Sequence, residues 1–147
     1  MSKILIVEDE TIIRTALRKL LERNQYEVSE APSVKEATTR YQLKDFDLIV
    51  SDLRLPGAPG TDLIKLAGDI PVLIMTSYAS LRSAVDSMRM GAVDYIAKPF
   101  DHDEMVTAVK RVIGKAKAGK LASQATQTAS HAIAGIAGQM KTANPFY

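Results

Sequence analysis

The sequence predicts an α/β protein, a parallel sheet with helices on both of its faces. Three observations carry that prediction. Short apolar runs rich in β-branched residues recur from Lys3 to Ala97 and have the length of buried strands. Segments with apolar residues at helical spacing separate them, so strand and helix alternate. Capping residues stand at the joins, notably Ser33 before one helix and Gly91 after another.

The elements follow in order. Lys3–Val7 reads as the first strand. Ile13, Leu17, Leu20 and Leu21 then repeat at helical spacing. Tyr26–Ala31 is a weaker strand candidate. Ser33 with Glu36 three residues on is a capping-box start for the second helix. Phe46–Ser51 is the third strand and Leu63–Ala67 a short helix. Pro71–Thr76 is the fourth strand; Leu81–Met90 is a helix that Gly91 ends. Asp94–Ala97 is a second weaker strand, and Asp101 with Glu104 opens the last helix in the manner of Ser33 and Glu36. Right-handed crossovers then leave few topologies. In such sheets the ligand site lies off the carboxyl ends of the strands, near the switch in strand order.

Composition narrows the chemistry. There is no cysteine, so disulfides, thiolate metal sites and a cysteine nucleophile are excluded, and a reducing compartment is favoured. Ile4–Val7 is too short for a signal-peptide core or a membrane span, so a cytoplasmic setting is expected, without membrane contact. The net charge of +2 is uneven. Lys115, Lys117, Lys120 and Lys141 come without an acid, which leaves 15 basic against 17 acidic residues before Gly114. Scattered lysines with few aromatics give no reason to expect direct nucleic-acid binding.

The strand ends carry the function. The first strand ends in Glu8-Asp9, the third runs into Asp52, the fourth ends in Thr76-Ser77 and the fifth in Lys98-Pro99. Parallel strands gather these groups at one edge of the sheet. Carboxylates at short range raise one another's pKa or demand a cation. Mg2+ meets that demand, since it takes oxygen ligands and a few carboxylates. Lys98 adds a point charge, and the Thr76 hydroxyl can donate to a phosphate oxygen. The set suits in-line attack by a carboxylate oxygen on a phosphoryl group. Taken singly, each residue has a plainer reading: Asp9 as a helix cap, Asp52 as a turn residue, Thr76 as a hydroxyl bonded to backbone, Lys98 as a solvated lysine. Their fall at successive strand ends favours the joint reading.

The segments ILIVEDE, DLIVSDLRLPGAPG, VLIMTSYAS and DYIAKPF resemble the four signature segments of bacterial response-regulator receiver domains, over Lys3 to about Ile113. The resemblance implies a flavodoxin-like doubly wound sheet of five strands in the order 2-1-3-4-5 with five helices. It implies that Asp52 takes a phosphoryl group from a partner sensor histidine kinase in a Mg2+-dependent reaction. By position, Glu8 and Asp9 match the metal-holding acid pair, and the backbone carbonyl of Arg54 matches a further metal ligand beside Asp52. Thr76 matches the switch hydroxyl, Tyr95 the switch aromatic and Lys98 the pocket lysine. A cis bond between Lys98 and Pro99 is implied as well. The relay from Thr76 to Tyr95 would reshape a surface of the fourth helix, last strand and last helix. That surface suits a partner or a second receiver, and Met88, Met90, Tyr95 and Met105 are expected on or near it. Such a chain is a phosphoacceptor with slow autophosphatase chemistry rather than a turnover enzyme.

Leu53-Arg54-Leu55-Pro56-Gly57 and Met75-Thr76-Ser77 are most similar to the NtrC-like branch. There the receiver precedes an ATPase domain and a DNA-binding domain, so a transcription-regulating output is implied; a stand-alone receiver acting by protein contact is the alternative. Two other classes fit less well. An aspartate-nucleophile phosphohydrolase needs a second aspartate where Arg54 stands. A flavin-binding sheet of this order would have its phosphate repelled by Glu8-Asp9-Glu10. Residues 1–116 are thus expected to form the receiver and 117–147 a linker or tail. The stretch from Gly114 is rich in Ala, Gly, Ser, Thr and Gln, which reads as a linker. A helical extension is the alternative, with Ala125, Ala129, Ala132, Ile136 and Met140 at helical spacing, and Gly135–Met140 faintly resembles the start of an ATPase domain.

Overall fold

The computed structural model describes residues 1–125. Within Met1–Ile113 the elements run β1 (Lys3–Val7), α1 (Thr11–Arg23), β2 (Glu27–Ala31), α2 (Val34–Arg40), a 3-10 turn (Leu43–Asp45), β3 (Leu48–Asp52), α3 (Asp62–Ala67), β4 (Val72–Thr76), α4 (Leu81–Arg89), β5 (Asp94–Ala97) and the start of α5 (His102–Ala125). The strands form one parallel sheet in the order β2-β1-β3-β4-β5, as expected for a flavodoxin-like doubly wound fold.

Strand periodicity splits the core in two. Ile4, Ile6, Leu48, Val50, Leu73 and Met75 face α1 and α5, where Leu17, Leu21, Met105 and Val109 are fully buried. Leu5, Val7, Ile49 and Ile74 face the other side and pack with Val34, Ala37 and Leu63. β3 and β4 are buried at every position, which is why their sequences are unbroken apolar runs. β2 and β5 are the edge strands and only partly buried, so their apolar signal is weaker.

The predicted caps at Ser33 and Gly91 are in place, whereas among the described residues the Asp101 side chain makes no cap bond and only its backbone carbonyl accepts, from the Met105 amide. Ser33 Oγ accepts from the Glu36 amide at 3.1 Å and starts α2. Gly91, at φ +109°, turns the chain out of α4. Ser80 Oγ accepts from the Ser83 amide at 3.0 Å and caps α4, a bond that the sequence reading did not single out.

Two expectations are revised. Met105 is not part of the exposed Tyr95 surface. It is fully buried on the α1–α5 side of the sheet, whereas Tyr95 packs with the opposite cluster. The linker expected from Gly114 gives way to the helical alternative over 114–125, since α5 runs to Ala125. Ala129, Ala132, Ile136, Met140 and the Gly135–Met140 stretch lie outside the described residues. Among the described residues no helix is long and apolar enough to cross a membrane.

Candidate functional site

The strand order sets the site. β1 and β3 are neighbours at the switch in strand order, and Val7 pairs with Ser51. One residue further on each strand, Glu8 and Asp52 emerge side by side at the carboxyl edge. Oxygens of Glu8, Asp9 and Asp52 all lie within 4.8 Å of one another. Glu8 and Asp52 are buried and Asp9 is exposed, so the cluster opens to solvent on the Asp9 side.

Lys98, at the end of β5, reaches into this cluster. Its Nζ donates to Glu8 Oε1 at 2.7 Å and lies 3.4 Å from Asp52 Oδ1 and 3.9 Å from Glu10 Oε1. The Lys98–Pro99 bond is cis, as the resemblance implied. Burial pushes the Glu8 carboxyl above its ordinary range, and the bond from Lys98 holds it back. Burial also raises Asp52, against the Lys98 charge and with the Asp9 charge; a backbone hydrogen bond from Arg54 favours its ionised form. Burial alone would lower Lys98, but its bonds to Glu8 and Asp52 outweigh that, and the ammonium sits above its ordinary range. Lys98 pairs with two of the cluster's three carboxylates, so the donor set is hard oxygen with an excess of negative charge. These are the ligands that suit Mg2+.

Thr76 ends β4 and is fully buried; its Oγ1 accepts from the Tyr78 amide at 3.1 Å. Tyr95 sits two residues back along the adjoining strand, paired with Ile74, and lies outside the carboxylate cluster. Its ring is half-buried and its hydroxyl donates to Ser83 Oγ of α4 at 2.7 Å. The Arg54 side chain turns away from the carboxylates and lies 4.4 Å over the exposed Tyr78 ring. The fold therefore gathers Glu8, Asp9, Asp52 and Lys98, sets Thr76 on the next strand end, and links Tyr95 to α4.

Three participants escaped the sequence reading. Ser83 gave no signal before its contact with Tyr95 was known. Arg14 drew no attention in the sequence, yet it donates to the Glu8 carbonyl at 2.7 Å. Gly60 closes the β3–α3 loop, its amide donating to the Leu53 carbonyl at 2.8 Å. Its glycine identity, shortly after a strand end, was the available clue.

The fold and site together define a class of doubly wound α/β domain with an acidic pocket and a lysine at the carboxyl edge of its parallel sheet. Residues 4–110 match the response regulator receiver domain family, and the chain belongs to it. Among curated relatives, the DNA-binding transcriptional regulator NtrC of Klebsiella pneumoniae is 37% identical over 112 residues, covering 74% of this chain and 24% of that protein. The receiver domain of HemR from Leptospira biflexa, solved in its non-phosphorylated form, is 36% identical with a TM-score of 0.70, covering 77% of this chain and 94% of that one. A response regulator from Burkholderia pseudomallei, solved with a phosphorylated aspartic acid, a calcium ion and citrate, is 28% identical with a TM-score of 0.67, covering 82% and 73%. This chain spans less than half the length of the first curated relatives it matches, several of them transcriptional regulatory proteins.

Proposed function

We propose that the chain is a phosphorylation switch in which Asp52 accepts a phosphoryl group from a partner histidine kinase, with Mg2+ held by Glu8, Asp9, Asp52 and the backbone carbonyl of Arg54. The observation that carries this reading is Asp52 itself. It is a carboxylate only 6% exposed, 3.4 Å from the Lys98 ammonium, with two further carboxylates beside it. The Burkholderia relative was solved with a phosphorylated aspartic acid and a calcium ion, which supports an aspartate as the acceptor.

An Asp52 oxygen attacks phosphorus, and the P–O bond forms as the bond from phosphorus to the donor's imidazole nitrogen breaks. Lys98, already turned toward Asp52, then faces the charge on the phosphoryl oxygens. Bound Mg2+ supplies further neutralisation of that charge. The Thr76 hydroxyl gives up its bond with the Tyr78 amide to donate to a phosphoryl oxygen. The Tyr95 ring responds along the adjoining strand, and its link to Ser83 carries the change into α4. The exposed Leu81, Val85, Met88 and Met90 lie on or just after α4, where a partner or a second receiver would read it. Residues 1–116 form this receiver, residues 117–147 lead toward a transcription-regulating output, and the setting is cytoplasmic. With Arg54 in place of a second aspartate the chemistry stops at the phosphoenzyme, apart from slow self-hydrolysis.

Acetyl phosphate with Mg2+ tests the acceptor. Intact mass spectrometry is expected to find one added phosphate, absent in Asp52→Asn, with slow release of phosphate afterwards. Undiminished labelling of Asp52→Asn, or rapid multiple turnover, would overturn the assignment.

The relay has its own test. Beryllofluoride, a mimic of the phosphoryl group, is expected to shift backbone amide resonances around Thr76, through α4 and at Tyr95. Thr76→Ala is expected to keep labelling and lose most of the shift in α4. A shift of α4 that survives unchanged in Thr76→Ala would rule the relay out.

A further inference from the structure

We propose that Arg14 is a positioning residue for the metal-binding acid pair: it fixes the β1–α1 turn through the Glu8 carbonyl and is itself anchored to β2 by Glu30. The inference rests on the metal reading above.

Asp9 is the exposed member of the carboxylate cluster. Among the described residues no side-chain hydrogen bond holds its carboxylate. Its position is therefore only as well defined as the backbone that carries it. That backbone is tied at Glu8 from both ends. The Glu10 amide donates to Glu8 Oε2 at 3.0 Å. The Arg14 guanidinium, from the first turn of α1, donates to the Glu8 carbonyl at 2.7 Å. The Glu8 carbonyl belongs to the peptide that leads into Asp9, so this bond orients the Asp9 Cα.

The guanidinium is well suited to the task. Its Nε donates to Glu30 Oε1 at 2.8 Å, so one planar group spans the turn and the neighbouring strand. Glu30 is in turn held by Arg18. Burial would raise the Glu30 carboxyl, but the bonds from Arg18 and Arg14 outweigh it and keep it below the ordinary range, so the anchor stays ionised. Second-layer groups of this kind orient metal ligands, and their loss typically weakens metal binding by about 10–100-fold.

A bare charge effect has the opposite sign. Arg14 is a cation close to the acid pair, and removing it should tighten Mg2+ binding if electrostatics alone acted. The sign of the change therefore distinguishes positioning from charge.

The experiment is a Mg2+ titration of the full chain followed by amide resonances, with the metal alone as probe. For the parent, saturable shifts at Glu8–Glu10 and Asp52 are expected. Arg14→Ala is expected to raise the Kd by about tenfold. Arg18→Ala removes the same charge and a bond to Glu30 but touches no part of the turn, and is expected to bind like the parent. Arg14→Gln keeps N–H donors without the charge and is expected to recover part of the loss; it also carries the test if Arg14→Ala does not fold. An Arg14→Ala chain that binds as tightly as the parent or tighter, or an Arg14→Gln chain that binds tighter than the parent, overturns the inference. So does an equal loss in Arg18→Ala, which would assign the effect to the ion network as a whole. A parent that does not titrate at millimolar Mg2+ overturns the metal reading itself, and the inference with it.

Discussion

Gly60→Ala is expected to lower stability by about 3 kcal/mol and to abolish most phosphate labelling of Asp52. The reason is a contact with the phosphoacceptor's own backbone. A Cβ on Gly60 would stand 2.0 Å from the Asp52 carbonyl oxygen, 2.6 Å from Ser51 Oγ and 3.0 Å from the Asp52 carbonyl carbon. The nearest neighbour is main chain of a buried strand, which cannot rotate aside as a flexible side chain can. Ser51 Oγ is itself tied to the Asp52 carbonyl at 3.0 Å. Either the loop lifts off the strand, breaking the bond from the Gly60 amide to Leu53, or the end of β3 moves and carries Asp52 with it. Gly57 provides the comparison within the same loop. Its φ of +89° makes alanine there cost about 1 kcal/mol in backbone conformation, but nothing lies within 4 Å of its Cβ. Gly57→Ala should therefore lose a little stability and keep labelling. Urea denaturation and acetyl phosphate labelling of the two variants decide it. Equal behaviour of both would mean that the loop is free to shift and that Gly60 does not hold the acceptor strand.

The contrast between those two glycines also marks what a sequence can convey. β1, β3 and β4 were plain because interior strands are buried on both faces and read as unbroken apolar runs. β2 and β5 read weakly because each is an edge, with only one buried position. Glu8, Asp9, Asp52 and Lys98 could be grouped before any coordinates, since parallel strands bring their carboxyl ends to one edge whatever the loops do. What stayed hidden depends on contacts between loops and side chains. The two-ångström clash at Gly60, the Tyr95–Ser83 bond and the Arg14 bond to a backbone carbonyl leave no periodic trace. Met105 was misplaced because an apolar residue on an amphipathic helix announces burial without saying against which neighbour. The length of α5 was underestimated on the strength of Gly114 and Gly119, each a cost of about 1 kcal/mol in a helix. The alanines, lysines and leucine around them are strong helix formers, and the helix continues across both glycines.

The second large effect is expected at Lys98. Lys98→Met should destabilise the fold by about 3 kcal/mol in Mg2+-free buffer. Its side chain is 4% exposed and that of Glu8 0%, so their 2.7 Å pair belongs to the interior rather than the surface. Methionine keeps an unbranched stem of similar reach and removes only the ammonium. Glu8 is then a buried carboxylate without its main counter-charge, beside Asp52, which has lost its own. Glu8→Gln on the Lys98→Met background should recover much of the loss, because the cost lies in the unpaired charge rather than in missing contacts. Mg2+ should also restore stability. A cation that binds only the native cluster adds about 1.4 kcal/mol at ten times its Kd, and the variant's cluster carries one positive charge fewer to compete with it. Labelling should not return with the fold. The Lys98 ammonium stands 3.4 Å from Asp52, where the charge of the transferring phosphoryl group develops, and a restored fold does not replace it. Urea denaturation with and without Mg2+, and acetyl phosphate labelling under conditions where the variant is folded, separate the two roles. A loss below about 1 kcal/mol, the usual worth of an exposed pair, together with parental labelling would return Lys98 to the status of a solvated loop lysine.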